Sequence, residues 1–149
     1  MISDSLYQEM IVDHAKRPRN FGALDDATIS LEGVNPLCGD QLTLHLRVVD
    51  GVLDGIAFDG SGCAISLASA SLMTSALKGL SEPDALAVFD RVHLMLTTQT
   101  DDEDVLQALG KLAVLSGVWQ YPSRVKCASL AWQTLRNALT GRDETARTE

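Results

Sequence analysis

The sequence predicts an α+β fold, a small three-stranded antiparallel sheet packed on one face by about five helices. Three observations lead there. Residues 41–48 alternate Gln, Leu, Thr, Leu, His, Leu, Arg, Val, the period-two pattern of a half-buried strand. Asp50-Gly51 follows as a hairpin signal, because glycine accepts the positive φ that tight hairpins require. From Ser61 onward the apolar residues recur three and four apart, which is the helical period.

The chain opens on an amphipathic helix. Leu6, Met10 and His14 lie four apart with Tyr7 and Ile11 beside them. Ser5 with Gln8 forms a capping box, or Ser3 or Asp4 opens the helix. Pro18 ends it, lacking the amide donor and disfavouring helical geometry in the residue before it. Lys16-Arg17-Pro18-Arg19-Asn20-Phe21-Gly22 is then a basic loop on an acidic chain, either a solvated linker or a surface that docks to an acidic patch. The first strand, 28–32, puts Ile29 and Leu31 on one face. The second, 41–48, puts Leu42, Leu44, Leu46 and Val48 on that face and exposes His45. The third returns through Ile56 and Phe58.

Helices follow. Ile65, Ala68, Leu72, Ala76 and Leu80 share a face, and Ser81-Glu82-Pro83-Asp84 supplies an N-cap, a first-turn proline and an early carboxylate for the next helix. That helix carries Leu86, Phe89, Val92, His93 and Leu96. A polar connection over 97–104 leads to one or two shorter helices, with breaks at Gly110 and Gly117. Pro122-Ser123 opens the last helix, whose face is Ala128, Ala131, Trp132, Leu135, Ala138 and Leu139, and Gly141 stops it. The expectation is one domain over 1–141 and a polar, frayed tail over 142–149.

Bulk properties narrow the function. A chain of 149 residues can bury a core without disulfide staples. A formal charge of −8 disfavours nucleic acid, whose binding rests on Lys and Arg against phosphate. No apolar run approaches the roughly 20 residues of a membrane span, and the N-terminus lacks the basic and apolar parts of an export signal. Three cysteines, an odd number, fit reduced thiols in the cytoplasm better than a disulfide framework.

Those cysteines carry the chemistry. Cys38 and Asp40 lie in the turn Asn35-Pro36-Leu37-Cys38-Gly39-Asp40, Cys63 ends Gly60-Ser61-Gly62-Cys63, and Cys127 follows Arg124-Val125-Lys126. In a three-strand meander the start of the second strand and the end of the third share a sheet edge, which brings Cys38 near Cys63. Nothing in the pattern brings Cys127 to them. Cys63 and Cys127 fall near helix N-termini, whose free amides favour thiolate. Three thiolates and a carboxylate make a tetrahedral set for Zn²⁺, or an incomplete cradle for an iron–sulfur cluster. Asp40 is a harder ligand than a closed structural site uses, and the spacings are wide, as suits a site built for exchange. Arg124 and Lys126 would offset its negative charge. A lone cysteine is most often a small buried apolar residue, a description that suits Cys127. His14 and His93 read as core-edge residues and His45 as exposed, though any of the three could replace Asp40 as fourth ligand. A cysteine-nucleophile hydrolase finds little support, with no histidine near a cysteine in sequence.

At these residues the chain resembles the iron–sulfur cluster assembly scaffold family of IscU, NifU N-terminal and SufU proteins. The matching stretches are Leu6-Tyr7 through Asp13-His14 with Pro18-Arg19-Asn20, then Asn35-Pro36 through Asp40, then 60–66, then Val125-Lys126-Cys127-Ala128. Scaffolds of the Isc type carry a histidine before the third cysteine and a Leu-Pro-Pro-Val-Lys motif upstream. Here Lys126 and Tyr121-Pro122-Ser123-Arg124-Val125 stand in those places, and residues 79–101 look longer. These departures resemble the SufU class. That resemblance implies Zn²⁺ held by Cys38, Asp40, Cys63 and Cys127, and a SufS-like cysteine desulfurase that hands over persulfide sulfur. It also implies a desulfurase histidine that takes a place on zinc and frees Cys38 as acceptor. The protein would then be a sulfurtransferase-like carrier serving downstream iron–sulfur assembly proteins. The alternative is a scaffold on which a transient [2Fe–2S] or [4Fe–4S] cluster forms and from which it passes to apo-proteins.

Overall fold

The computed structural model describes residues 4–100, 102–141 and 145–148, with side chains described from Tyr7 onward. The proposed caps Ser3, Asp4 and Ser5 and the packing of Leu6 lie outside the described parts. The fold is α+β. Strands β1 (Ile29–Asn35), β2 (Asp40–Val49) and β3 (Val52–Ser61) form an antiparallel meander. The Asp50-Gly51 hairpin takes positive φ at both residues, 52° and 77°. Around the sheet run α1 (Asp4–Lys16), α2 (Ala64–Leu77), α3 (Glu82–Thr97), α4 (Glu103–Leu109), a 3₁₀ stretch (Gly110–Gln120) and α5 (Pro122–Leu139).

The sheet corrects two expectations. It has four strands and is mixed, in the order β3-β2-β1-β4, because β4 (Ala146–Arg147) pairs parallel with β1. Residues 146–147 of the expected frayed tail are thus held. Ala146 is 2% exposed, and the Thr148 amide donates to the Val34 carbonyl at 3.3 Å. A two-residue strand carries too little periodicity to be read. Strand β1 also runs on to Asn35, three residues beyond the expected end, where Asn35 pairs with Asp40. Gly33 hid that extension by breaking the apolar alternation.

Gly33 has a packing role. Helix α5 lies on β1, and a Cβ at Gly33 would overlap Thr134 Oγ1 and sit 3.2 Å from Leu130 Cδ1. Its absence lets helix and strand approach closely. The core between sheet and helices is built on Phe58, Leu44, Leu46, Met73, Leu130 and Trp132, all essentially solvent-free.

The basic loop after α1 is neither a free linker nor an open docking strip over its whole length. Ser71 Oγ on α2 accepts from the Arg19 amide at 2.8 Å and pairs with His14 Nδ1 at 2.7 Å. Asn20 Nδ2 donates to Thr74 Oγ1 at 3.1 Å, and Arg19 pairs with Asp13 at 2.6 Å. The loop is stapled to α2. His45 is likewise not simply exposed: it sits between Ser30 Oγ and Asp59 Oδ2, each at 2.8 Å. His93 is exposed and stacks on Phe89.

Candidate metal centre

Asp40 is the first residue of β2 and is 2% exposed. The turn before it closes with the Cys38 amide donating to the Asn35 carbonyl at 3.2 Å and with Gly39 at φ 71°. This leaves Leu37 and Cys38 at the surface. Cys63, also exposed, is the N-cap residue of α2, with φ −70° and ψ 166°. Its amide donates to Asp40 Oδ1 at 2.9 Å, and its Sγ lies 3.9 Å from Asp40 Oδ2. One carboxylate therefore ties the start of α2 to the start of β2. Gly62 makes room for it, since a Cβ there would stand 2.7 Å from Asp40 Oδ1.

Cys127 reaches the same point from α5. It lies in the helix's second turn, is 5% exposed, and its Sγ is 3.6 Å from Cys38 Sγ. Ligand atoms of Cys38, Asp40 and Cys127 all fall within 4.8 Å of one another. Cys63 stands outside that group of three and touches it through Asp40, so the structure places three of the four sequence-selected residues within ligand range of one another and the fourth beside their carboxylate. None of the three histidines takes Asp40's place, each being engaged elsewhere as described above. Arg124 puts its guanidinium 4.6 Å over the Tyr121 ring, while Lys126 is half-buried next to Cys127 in the chain.

Burial pushes the Cys127 thiol pKa well up, and hydrogen bonds with Cys63, Asp40 and Cys38 add to the rise. The helix terminus therefore does not make Cys127 a thiolate by itself. The residue sits too deep along α5 and too far from water. A bound cation would reverse that balance, because it deprotonates a coordinating thiol.

A family model for the NifU-like N terminal domain matches residues 6–140. The chain belongs to that family. Among NifU-like relatives, the iron–sulfur cluster assembly scaffold protein IscU of Thermotoga maritima is 40% identical over 139 residues, covering 93% of this chain and 96% of its own. The zinc-dependent sulfurtransferase SufU of Bacillus subtilis is 38% identical over 136 residues, covering 91% and 90%. A crystal structure from Fervidobacterium islandicum, of a candidate iron–sulfur cluster assembly scaffold for the SUF system, superposes with TM-score 0.81 at 35% identity, covering 93% of this chain and 99% of that one.

The site's own chemistry fits zinc. Zn–S arms of about 2.3 Å at the tetrahedral angle set two sulfurs about 3.8 Å apart, and a sulfur and a carboxylate oxygen about 3.5 Å apart. The observed 3.6 Å between Cys38 and Cys127 and 3.9 Å between Cys63 and Asp40 are close to those edges. Reading the sequence for ligand types passed over two neighbours of the site. Gly62 carries no chemistry of its own, and Asn35 resembles an ordinary turn residue, yet Asn35 is fully buried. A pocket of about 350 Å³ lies beside His14, Arg19 and Lys111, and a groove of about 850 Å³ runs past Tyr7, Trp119, Tyr121 and Arg124. Neither is lined by a cysteine.

Proposed function

We propose that this protein is a zinc-binding sulfur acceptor of iron–sulfur cluster biogenesis, taking persulfide sulfur from a cysteine desulfurase in the cytoplasm. One observation carries the reading: the thiols of an exposed Cys38 and a buried Cys127 lie 3.6 Å apart and within 4.8 Å of the Asp40 carboxylate, which the exposed Cys63 approaches from its other side at 3.9 Å. The relative named for zinc-dependent sulfur transfer, 38% identical over most of the chain, supports the SufU-like form of it.

In this reading Cys38, Asp40, Cys63 and Cys127 hold one Zn²⁺. A bound ion would keep the thiols deprotonated while blunting their nucleophilicity, so Cys38 would act only once a histidine of the desulfurase had taken its place and freed it. The chain does the rest. Cys38 stands in an exposed turn, so its sulfur can meet a persulfide presented by another protein. Its thiolate attacks the terminal sulfur of that persulfide. A new S–S bond forms on Cys38, the donor's S–S bond breaks, and the electron pair leaves with the desulfurase cysteine as thiolate. No oxidant is needed. Leu37, 74% exposed, offers an apolar contact beside the acceptor. The sulfur then passes to downstream assembly proteins.

A second reading is a scaffold on which an iron–sulfur cluster is built as cargo, and it is favoured by the relative of that name at 40% identity. Anaerobic purification separates the two. A colourless protein with one zinc supports the acceptor, and a brown protein with iron and sulfide supports the scaffold. For the acceptor, Cys38→Ala should abolish both stimulation of a cysteine desulfurase and the appearance of an extra sulfur on this chain by mass spectrometry. Full stimulation by that variant would overturn the assignment of Cys38.

A further inference from the structure

Asn35 is 0% exposed, and neither its Nδ2 nor its Oδ1 has a hydrogen-bond partner among the described residues. A carboxamide stripped of water on both ends is costly, and such groups in a folded protein call for an explanation. Its surroundings give one. Asn35 is the cross-strand partner of Asp40 in the β1–β2 ladder, so the two side chains leave the same face with Cβ atoms about 5 Å apart. Its backbone carbonyl receives the Cys38 amide.

Gly33, two residues back on the same face, lies beneath Leu130 and Thr134 of α5. From Gly33 to Asn35 the strand advances about 6.6 Å toward the Cys38 turn. Over the same span α5 steps back from Thr134 through Leu130 to Cys127, whose sulfur meets that of Cys38. Asn35 therefore sits beside Asp40 and at the start of the Cys38 turn, on the strand face that α5 covers at Gly33. Thr148 follows the Val34–Arg147 pair in the β1–β4 ladder, which sets it next to Asn35, and its Oγ1 is likewise buried with no hydrogen-bond partner among the described residues.

We propose that the Asn35 carboxamide is a positioning residue of the metal centre. When the centre is loaded, Nδ2 donates to a coordinating sulfur, and Oδ1 is steadied by the Thr148 hydroxyl. The inference rests on the zinc-centre reading above. With no metal bound, the carboxamide has no partner among the described residues; a metal-coordinated sulfur would be a charged acceptor, to which such a donor bonds strongly. The amide thus costs stability in the metal-free chain and repays it in the loaded one.

The sign of that exchange makes the test. Asn35→Leu removes both polar ends at similar size, and Asn35→Ala decides the matter should the leucine fail to fold. Zinc affinity, measured by competition with a chromophoric chelator, should fall about 10- to 100-fold. The metal-free variant should melt in urea no earlier than wild type for Leu, and only slightly earlier for Ala. With cobalt in place of zinc, the thiolate-to-metal charge-transfer band should move to lower energy. Unchanged affinity and an unmoved band would overturn the inference alone, as would a metal-free protein weakened in both variants as much as the affinity falls. A wild type that takes up neither zinc nor cobalt would sink the zinc-centre reading and this inference with it.

Discussion

Asp40 shows how much one buried carboxylate can organise. Its two oxygens face Cys63, one on the backbone amide at 2.9 Å and one toward the sulfur, while its strand position faces Asn35. Gly62→Ala tests that arrangement without touching a ligand. The added methyl would crowd Asp40 Oδ1, so zinc affinity should drop roughly tenfold or more. Urea stability of the metal-free protein should change by less than about 1 kcal/mol. Equal zinc affinity in the two proteins would show that the carboxylate is not held at the metal. His14 offers a second test away from the site. Burial depresses its pKa below the ordinary 6.5, with the positive charge of Arg19 adding to the effect. Around and below 6.5 the unfolded chain then binds more protons than the folded one. The stability His14 contributes is fully present above 6.5 and is lost as pH falls through the folded value. Urea melts of metal-free protein should show this acid loss, and His14→Gln should flatten it. A variant with the wild-type slope would contradict this account of the histidine.

At the scale of elements, the site depends on how closely α5 can lie on β1. Gly33→Ala would drive a methyl into Thr134 and Leu130. The expected cost is about 1–3 kcal/mol in urea unfolding, together with weaker zinc binding, because Cys127 rides on the displaced helix. A stable variant with normal zinc affinity would mean that α5 is not positioned through this contact. Elements were also what the sequence disclosed best. The alternation over 41–48, the Asp50-Gly51 hairpin and the Ser81 cap each have a strong local cause, and each is found in place; Ser81 Oγ accepts from the Asp84 amide at 3.2 Å. What local pattern could not disclose is tertiary. Strand β4 exists because Ala146 finds a slot beside Gly33, and His45 is half-buried because Ser30 and Asp59 sit on strands to either side. Of the site, the meander itself placed Cys38 near Cys63. Cys127, 89 residues from Cys38, depends on the packing of α5 and left no pattern in the chain.

Seen whole, the molecule draws its candidate ligands from three elements far apart in sequence and joins them at the surface. No described helix is long and apolar enough to cross a membrane. Binding one ion to β2, α2 and α5 at once ties the sheet to its helical layer, and a ligand that binds only the folded form adds to its stability. Zinc K-edge X-ray absorption on the freshly isolated protein tests the central claim most directly. The account predicts one zinc per chain with three sulfurs at about 2.3 Å and one oxygen at about 2.0 Å. Absence of a stoichiometric metal, or a shell holding fewer than three sulfurs, would contradict it.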